Sequence, residues 1–161
     1  HSKNLSEPVP GDEQTNQIAE LLAVIRVLEE EPTRRVEVRS DSQYCVDGVR
    51  FNLARWRENG WRRRALSAAR ISNEKLWRRL DALLRARPPS AEFRITKVKG
   101  HASLGDIASG RVDPFDRWGN NWADELAVGG AEQHPVSPRR VRAVEWRTRV
   151  TRDVQRMMVE I

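Results

Sequence analysis

Residues 15–28 read TNQIAELLAVIRVL, and the organisation of the rest of the chain follows from this stretch. Between residues 18 and 28 every position is apolar except Glu20 and Arg26. A helix with so little polar surface is expected to lie inside a domain, packed on most of its circumference. Thr15 is a suitable N-cap for it.

Glu20 is the unusual residue of this predicted helix, because it places a carboxylate one turn into an apolar segment. Burial of an unpaired carboxylate costs several kcal/mol, on the order of the whole stability of a domain. A buried Glu20 therefore needs a compensating cation, either an Arg side chain or a bound metal ion. The alternative is that Glu20 interacts favourably with the helix dipole and faces solvent.

The composition favours one basic, folded domain. The chain has 161 residues, 39% hydrophobic residues and six Trp, which suits a domain with a core. Its net charge of +6 comes mainly from Arg, with 25 Arg and 4 Lys. Arg matches phosphate oxygens, so nucleic acid is the leading partner class, although an Arg-rich coding style would give the same count. We expect no membrane partner and an intracellular location, since no segment is long enough to span a bilayer and no secretory signal opens the chain.

Two alternating segments predict the strands of a sheet. They are residues 35–40 (RVEVRS) and residues 93–98 (FRITKV). Asp41 follows the first segment directly, and Ser42 can cap a following helix. The order helix, strand, helix indicates an α/β sheet, in which sites lie at the carboxyl ends of parallel strands. Asp41 occupies that position.

Residues 55–70 carry six Arg together with Trp56 and Trp61, a pattern typical of a phosphate-binding surface. The alternative, which we favour for the two Trp, is that they belong to the core and the Arg side chains to solvent. The apolar stripe of residues 76–84 predicts a helix that contributes only to the core.

The later part of the chain is expected to hold a long loop and a last domain helix. Residues 102–119 are rich in Gly, Asp and Ser and read as a functional loop. Asn120 is a plausible cap for the helix that follows, Gly129 ends it, and Asp124 lies in its first turns. At the other end of the chain, residues 4–9 read as a short strand.

Three acids thus stand on separate predicted elements, namely Glu20, Asp41 and Asp124, and His101 follows the second strand. Carboxylates gathered without a basic partner suit a hard cation, most naturally Mg²⁺. Two such ions about 4 Å apart stabilise the attacking and leaving oxygens in phosphodiester cleavage. A His on a loop can shuttle protons or help the product leave.

Six motifs, in order, resemble type 1 ribonuclease H: TNQIAELLAVIRVL, RSDSQYCVDGV, NGW, NEKLWRRLDALL, VKGHAS and GNNWADELA. The resemblance covers roughly residues 10–128. It implies an α/β fold with a ribonuclease H-like mixed sheet flanked by helices. It also implies divalent-metal-dependent endonucleolytic cleavage of the RNA strand of RNA/DNA hybrids.

The resemblance also implies roles for individual residues. By match of motif, Glu20, Asp41 and Asp124 look like three of the family's four metal-binding carboxylates, which would hold two Mg²⁺ (or Mn²⁺) ions, and His101 looks like its loop histidine. The family contacts the minor groove of the hybrid through side chains that distinguish RNA from DNA. By match of motif, these side chains look like Asn16, Gln17 and Gln43 here.

The resemblance fails before Glu20. The family begins with a central strand that carries the first catalytic Asp, and two further strands follow it, whereas only nineteen residues precede Glu20 here. We therefore expect the first strands and that acid to be absent from the chain, and the strand of residues 35–40 to have an open edge. The chain alone should bind metal weakly and cleave little, and the remainder of a larger polypeptide upstream would complete it. The alternative is a catalytically dead ribonuclease H-like module that binds nucleic acid within a retroelement or a larger protein.

The sequence predicts a division near residue 134. Residues 1–134 would form the incomplete ribonuclease H-like domain, and residues 135–161 a Pro-flanked linker with an extra, basic amphipathic helix. We favour docking of this helix on the domain's own surface, and a partner-binding or nucleic-acid-binding arm is the alternative.

Overall fold

A computed structural model describes residues 4–133 and 141–150. The elements, in chain order, are helix α1 (Asn16–Glu30), strand β1 (Val36–Ser40), helix α2 (Gln43–Asp47), a π-helical turn (Gly48–Asn52), helix α3 (Leu53–Glu58), helix α4 (Glu74–Ala86), strand β2 (Phe93–Lys97), helix α5 (Leu104–Ala108) and helix α6 (Pro114–Glu132). Residues 141–150 are helical as well. Among the described residues, no helix is long and apolar enough to cross a membrane.

Strands β1 and β2 form a parallel pair, in register from Val36 opposite Phe93 to Ser40 opposite Lys97. The sheet has only these two strands in the described parts of the chain, so one edge of β1 is unpaired, as the sequence predicts. The α/β class with a small sheet flanked by helices is confirmed, although the described pair is parallel rather than mixed.

The core lies between this sheet and the helices on one of its faces. Leu21, Ile25 and Leu28 of α1 are buried, and they meet Trp77 and Leu80 of α4, which are fully buried. Each such side chain contributes about 1.5–3 kcal/mol through burial. The predicted core positions of α1 and of the stripe in residues 76–84 are therefore confirmed.

Residues 4–9 are not a strand, contrary to the sequence-based expectation. They lie against α6 and α1 instead: Ser6 Oγ donates to the carbonyl oxygen of Leu126 over 2.7 Å, and Glu7 forms an ion pair of 2.6 Å with Arg26. A Cβ atom on Gly130 would lie 2.6 Å from the Glu7 carbonyl oxygen, so Gly130 permits this close approach. These contacts use helix atoms and not a strand edge.

The predicted loop of residues 102–119 is wrong in part, since it contains α5 and the first turns of α6. Asn120 is not a cap: α6 begins at Pro114, and its N-cap is Asp113, whose side chain accepts from Phe115 N over 2.7 Å. Asp before Pro at the first helical position is a strong start signal, because the helix needs no N–H there. Gly129 does not end the helix either.

Helix α6 is mostly uncovered in the described structure. Gly130 is its only buried residue, while Phe115, Trp118 and Trp122 are 62%, 59% and 45% exposed. All residues in 141–150 are exposed as well, so the expected docking of this helix on the domain is not seen for them. The rest of the predicted C-terminal helix and the linker at 134–140 lie outside the described residues.

Candidate active site

Glu20 lies on the second turn of α1, half-buried, against the start of α2. Its Oε2 atom accepts a hydrogen bond of 2.5 Å from Ser42 Oγ. Ser42 is buried and also caps α2 by accepting from the Cys45 amide over 3.2 Å. Within the described residues no Arg or Lys forms an ion pair with Glu20, so an Arg partner is not what balances this carboxylate.

Cys45, one turn beyond Ser42, lies in the same buried region. Burial raises the pKa of its thiol to about 11, and the hydrogen bond from Ser42 partly opposes this, while the Glu20 charge adds to it. A thiol of such high pKa is protonated at neutral pH and does not act as a nucleophile or metal ligand. Cys45 is therefore a small buried residue of the core.

Asp41 follows β1 at its carboxyl end, as the sequence predicts. A Cβ atom on Gly100 would lie 2.5 Å from Asp41 Oδ2, so the carboxylate lies directly against the backbone of Gly100. Lys97 Nζ donates to the carbonyl oxygen of Asp41 over 2.8 Å, and no described Arg or Lys forms an ion pair with the Asp41 carboxylate. The segment after β2 thus meets the end of β1.

His101, the next residue along that segment, faces α6. Its Nδ1 atom lies 3.5 Å from Asp124 Oδ2, and the imidazole is 86% exposed. The backbone of His101 has a φ of 48°, in the left-handed region. His adopts this region more often than most residues do, but the conformation is still strained. Asn120 Nδ2 also donates to Asp124 Oδ2, over 3.3 Å.

These contacts link the predicted catalytic residues in one line around the ends of β1 and β2. Glu20 is joined to Asp41 through Ser42, Asp41 is joined to His101 through Gly100, and His101 is joined to Asp124. The donor chemistry suits Mg²⁺, since all three acids offer oxygen and none has an Arg or Lys partner in the described structure. However, no group of three or more Asp, Glu, His or Cys side chains among the described residues is close enough to hold one ion.

The predicted hybrid contacts surround the same corner of the molecule. Asn16 and Gln17 are exposed on the first turn of α1, four and three residues before Glu20 and therefore on its side of the helix. Gln43 follows Ser42, is exposed, and donates through Nε2 to Asp47 Oδ1 over 2.7 Å. The three amides are thus exposed beside the Glu20 and Asp41 carboxylates.

The basic segment of residues 55–70 divides between core and surface. Trp61 is buried and stacks under Arg78, and Trp56 packs on Trp77 with ring centroids 5.1 Å apart, so the core interpretation of the two Trp is confirmed. A groove of about 200 Å³ opens beside them, lined by Tyr44, Trp56, Arg63, Ile71 and Ser72. Aromatic surface next to an exposed Arg is suited to a nucleic-acid strand.

Asp106 is a buried acid for which the sequence analysis predicts no role. Its carboxylate accepts hydrogen bonds from Lys99 and Ser103, which flank His101, and forms an ion pair with Arg111. The Lys99 hydrogen bond and those from Ser103 hold the pKa of Asp106 well below its ordinary value. The capping-box spacing of Ser103 and Asp106 was the available signal for α5.

Known proteins resemble this chain over most of its described length. The sequence matches the family model described as RNase H over residues 1–132. The chain belongs to the ribonuclease H family. This match extends a little beyond the range covered by the motif resemblance at both ends.

The chain is between about one third and two fifths identical in sequence to curated ribonuclease H relatives. The chain is 38% identical to the Ribonuclease H of Rhodospirillum rubrum over 72% of this chain and 66% of the relative. It is 35% identical to that of Rhodopseudomonas palustris over 78% and 71%, and 32% identical to that of Schizosaccharomyces pombe over 81% and 42%. The chain therefore spans between 42% and 71% of the length of these relatives.

A solved structure shares the fold. The crystal structure of Prototype Foamy Virus Protease-Reverse Transcriptase superposes with a TM-score of 0.59 at 23% identity, over 79% of this chain and 16% of that chain. The likeness supports the ribonuclease H fold of the described α/β unit.

Proposed function

We propose that this chain takes part in divalent-metal-dependent endonucleolytic cleavage of the RNA strand of RNA/DNA hybrids. The observation that carries the proposal is the line of contacts from Glu20 through Asp41 and His101 to Asp124 in a chain of the ribonuclease H family. Helix α1, the end of β1 and helix α6 each contribute one acid to this line, and within the described structure none of the three acids has an Arg or Lys ion pair.

In this proposal Glu20, Asp41 and Asp124 hold the divalent cation, Mg²⁺ or Mn²⁺, by their carboxylate oxygens. The bound cation would stabilise charge on the phosphate oxygens of the scissile bond. His101 lies on the solvent side of Asp124, where an exposed imidazole can pass a proton between this site and water.

The substrate would lie along the face that holds the exposed amides. Asn16, Gln17 and Gln43 can reach ribose hydroxyls in the shallow groove of a hybrid, which is how a protein distinguishes RNA from DNA. The other strand would follow the groove between Trp56 and Arg63, where aromatic and basic groups meet.

In this proposal a further strand is needed to pair with β1 and to complete the set of metal-binding carboxylates. Strand β1 has an unpaired edge, and Arg39 on β1 joins α6 by an ion pair with Asp116 and a stacking contact over Phe115. The exposed Phe115, Trp118 and Trp122 form a row of ring contacts along α6, and this apolar surface begins beside Arg39 of β1. We propose that polypeptide upstream in a larger protein pairs with β1, packs on this surface and supplies the additional carboxylate.

The experiment compares hybrid cleavage by the 161-residue chain and by the longer protein, in Mg²⁺ and in Mn²⁺. The chain alone should cleave little, whereas the longer protein should cleave the RNA strand and lose that activity with Asp41→Asn. Glu92→Gln is the matched control, since Glu92 is an exposed acid at the amino end of β2, whereas Asp41 and His101 follow the carboxyl ends of the two strands. Strong cleavage by the chain alone would contradict the need for a further strand, and an active Asp41→Asn protein would contradict the site.

The second candidate is a catalytically dead module that only binds hybrids. It is favoured by one observation, namely that no three acids among the described residues are close enough to share an ion. Binding of a hybrid that is equal with and without Mg²⁺, together with no cleavage by the longer protein, would support this candidate over the enzyme.

We further propose an intracellular location for the protein. The single cysteine, Cys45, is a free buried thiol, which is usual where thiols stay reduced. Localisation of the tagged longer protein in its own cells tests this.

A further inference from the structure

The loop that carries His101 is held by hydrogen bonds and ion pairs to one buried carboxylate, that of Asp106. Asp106 is 4% exposed, and Lys99 Nζ donates to its Oδ1 over 2.8 Å. Its Oδ2 accepts from Ser103 N over 2.9 Å and from Ser103 Oγ over 2.8 Å. Arg111 approaches Oδ1 at 3.2 Å. One side chain thus joins the residues two before and two after His101.

The backbone of Asp106 makes further hydrogen bonds within the same loop. Its carbonyl oxygen accepts from the amides of Arg111 over 2.9 Å and Val112 over 3.3 Å, and from Ser109 Oγ over 3.1 Å. On the other side, Arg117 of α6 donates through Nε to the carbonyl oxygen of Ala102 over 2.9 Å. The loop is therefore fixed both to itself and to the helix that carries Asp124.

His101 depends on these contacts of its neighbours, because the His101 side chain itself makes few contacts that would hold it in place. The imidazole is 86% exposed, and the backbone adopts φ of 48°, a conformation that surrounding structure must impose. Without ties on both sides, the backbone of residues 100–102 would relax toward ordinary angles. The 3.5 Å approach of His101 Nδ1 to Asp124 Oδ2 would then be lost.

We propose that Asp106 is a positioning residue, which holds His101 in place beside Asp124 by fixing Lys99 and Ser103 on its two sides. The proposal rests on the proposed function for the role of His101, but the geometry it describes is independent of activity. Asp106 does not touch the substrate in this proposal and acts only through the histidine.

The first experiment measures the order of the loop by NMR relaxation of backbone amides in the 161-residue chain. In Asp106→Ala the order parameters of residues 100–102 should fall from about 0.85 to below about 0.6. Asp106→Asn, which keeps the size of the side chain, should give a smaller fall, and Glu92→Gln should give none. Glu92 is a suitable control because it, like Asp106, forms ion pairs with two basic side chains, in its case Arg35 and Arg94. Unchanged order parameters for residues 100–102 in Asp106→Ala would overturn the proposal.

The second experiment is a double-mutant cycle on hybrid cleavage by the longer protein. Asp106→Asn should lower kcat by about tenfold with KM nearly unchanged, since general acid–base groups contribute at least that much. In the His101→Ala background the same substitution should have no further effect. If the loss in kcat persists in that background, Asp106 acts in some other way and the positioning role is wrong.

The two proposals can fail separately. A wild-type longer protein that cleaves no hybrid contradicts the proposed function, while the NMR experiment still decides whether Asp106 orders His101. Loss of order that spreads to the core, with a large fall in Tm for Asp106→Asn, would indicate a general structural role and would also overturn the positioning proposal.

Discussion

Ser42 joins Glu20 to the start of α2, since the Ser42 hydroxyl donates to Glu20 Oε2 over 2.5 Å and its oxygen accepts from the Cys45 amide. A single buried hydroxyl therefore both caps a helix and orients a candidate metal ligand. Because Asp41 is the preceding residue, the same contact fixes the spacing between acids that come from α1 and from the end of β1.

Replacement of Ser42 by Ala should lower the free energy of unfolding by about 1–3 kcal/mol, because a cap is lost and the half-buried Glu20 loses its partner. Urea unfolding of the chain measures this. Thr15→Ala is the matched control, since Thr15 caps α1 with no acid attached and should cost only about 1 kcal/mol. Equal losses in the two variants would mean that the contact between Ser42 and Glu20 adds no stability.

Gly100→Ala should disturb the site more than the fold. The added methyl group would lie 2.5 Å from Asp41 Oδ2, so that the carboxylate must turn away. We expect Mg²⁺ affinity in the proposed longer protein to fall by about tenfold, as for other changes next to metal ligands, while Tm changes little. Calorimetric titration with Mg²⁺ measures the effect. Gly119→Ala is the control, because nothing lies within 4 Å of a methyl group there, and unchanged Mg²⁺ affinity in Gly100→Ala would contradict the close approach.

Local sequence patterns predict the helices and strands whose apolar periodicity and caps lie within the element itself. The apolar run of α1 and the stripe of α4 bury the side chains that their periodicity indicates, because burial of such surface dominates their energetics. The caps at Thr15 and Ser42 form as expected. The position of Asp41 at the end of β1 also follows from the alternating pattern alone.

Other features depend on contacts that no local pattern contains. The sequence predicts the start of α6 at Asn120, whereas the Asp113–Pro114 pair starts the helix earlier. The contact between His101 and Asp124 requires a strained backbone that is imposed by Asp106 and Arg117, which lie 5 and 16 residues further along the chain. The sequence predicts a strand at Glu7, but the Glu7 backbone lies against Gly130, over a hundred residues further along the chain.

Acid should loosen the His101 loop before it unfolds the core. The folded pKa of Asp106 is lowered, chiefly by the hydrogen bond from Lys99, so its stabilising effect is complete above the unfolded pKa of about 3.9. That effect is lost as the pH falls below about 4 toward the lower folded pKa. Hydrogen exchange of the Ser103 amide, followed between pH 6 and about pH 3 after correction for the intrinsic rate, should report this loosening. Asp106→Asn should remove the pH dependence, and a wild-type profile retained in that variant would assign the effect to another acid.

Gly48→Ala should be the most damaging single methyl addition in the core. A Cβ atom at Gly48 would lie 2.0 Å from a ring carbon of Trp77, which is fully buried and held by a 2.7 Å hydrogen bond from its Nε1 to the Tyr44 hydroxyl. The ring cannot move without breaking that bond, so overpacking should cost about 3 kcal/mol or more. Guanidinium unfolding followed by Trp fluorescence measures this. Gly119→Ala adds the same methyl group to α6 without a neighbour and should be neutral or stabilising by up to about 1 kcal/mol. If Gly48→Ala were as stable as Gly119→Ala, the close packing of the π-helical turn on Trp77 would be wrong.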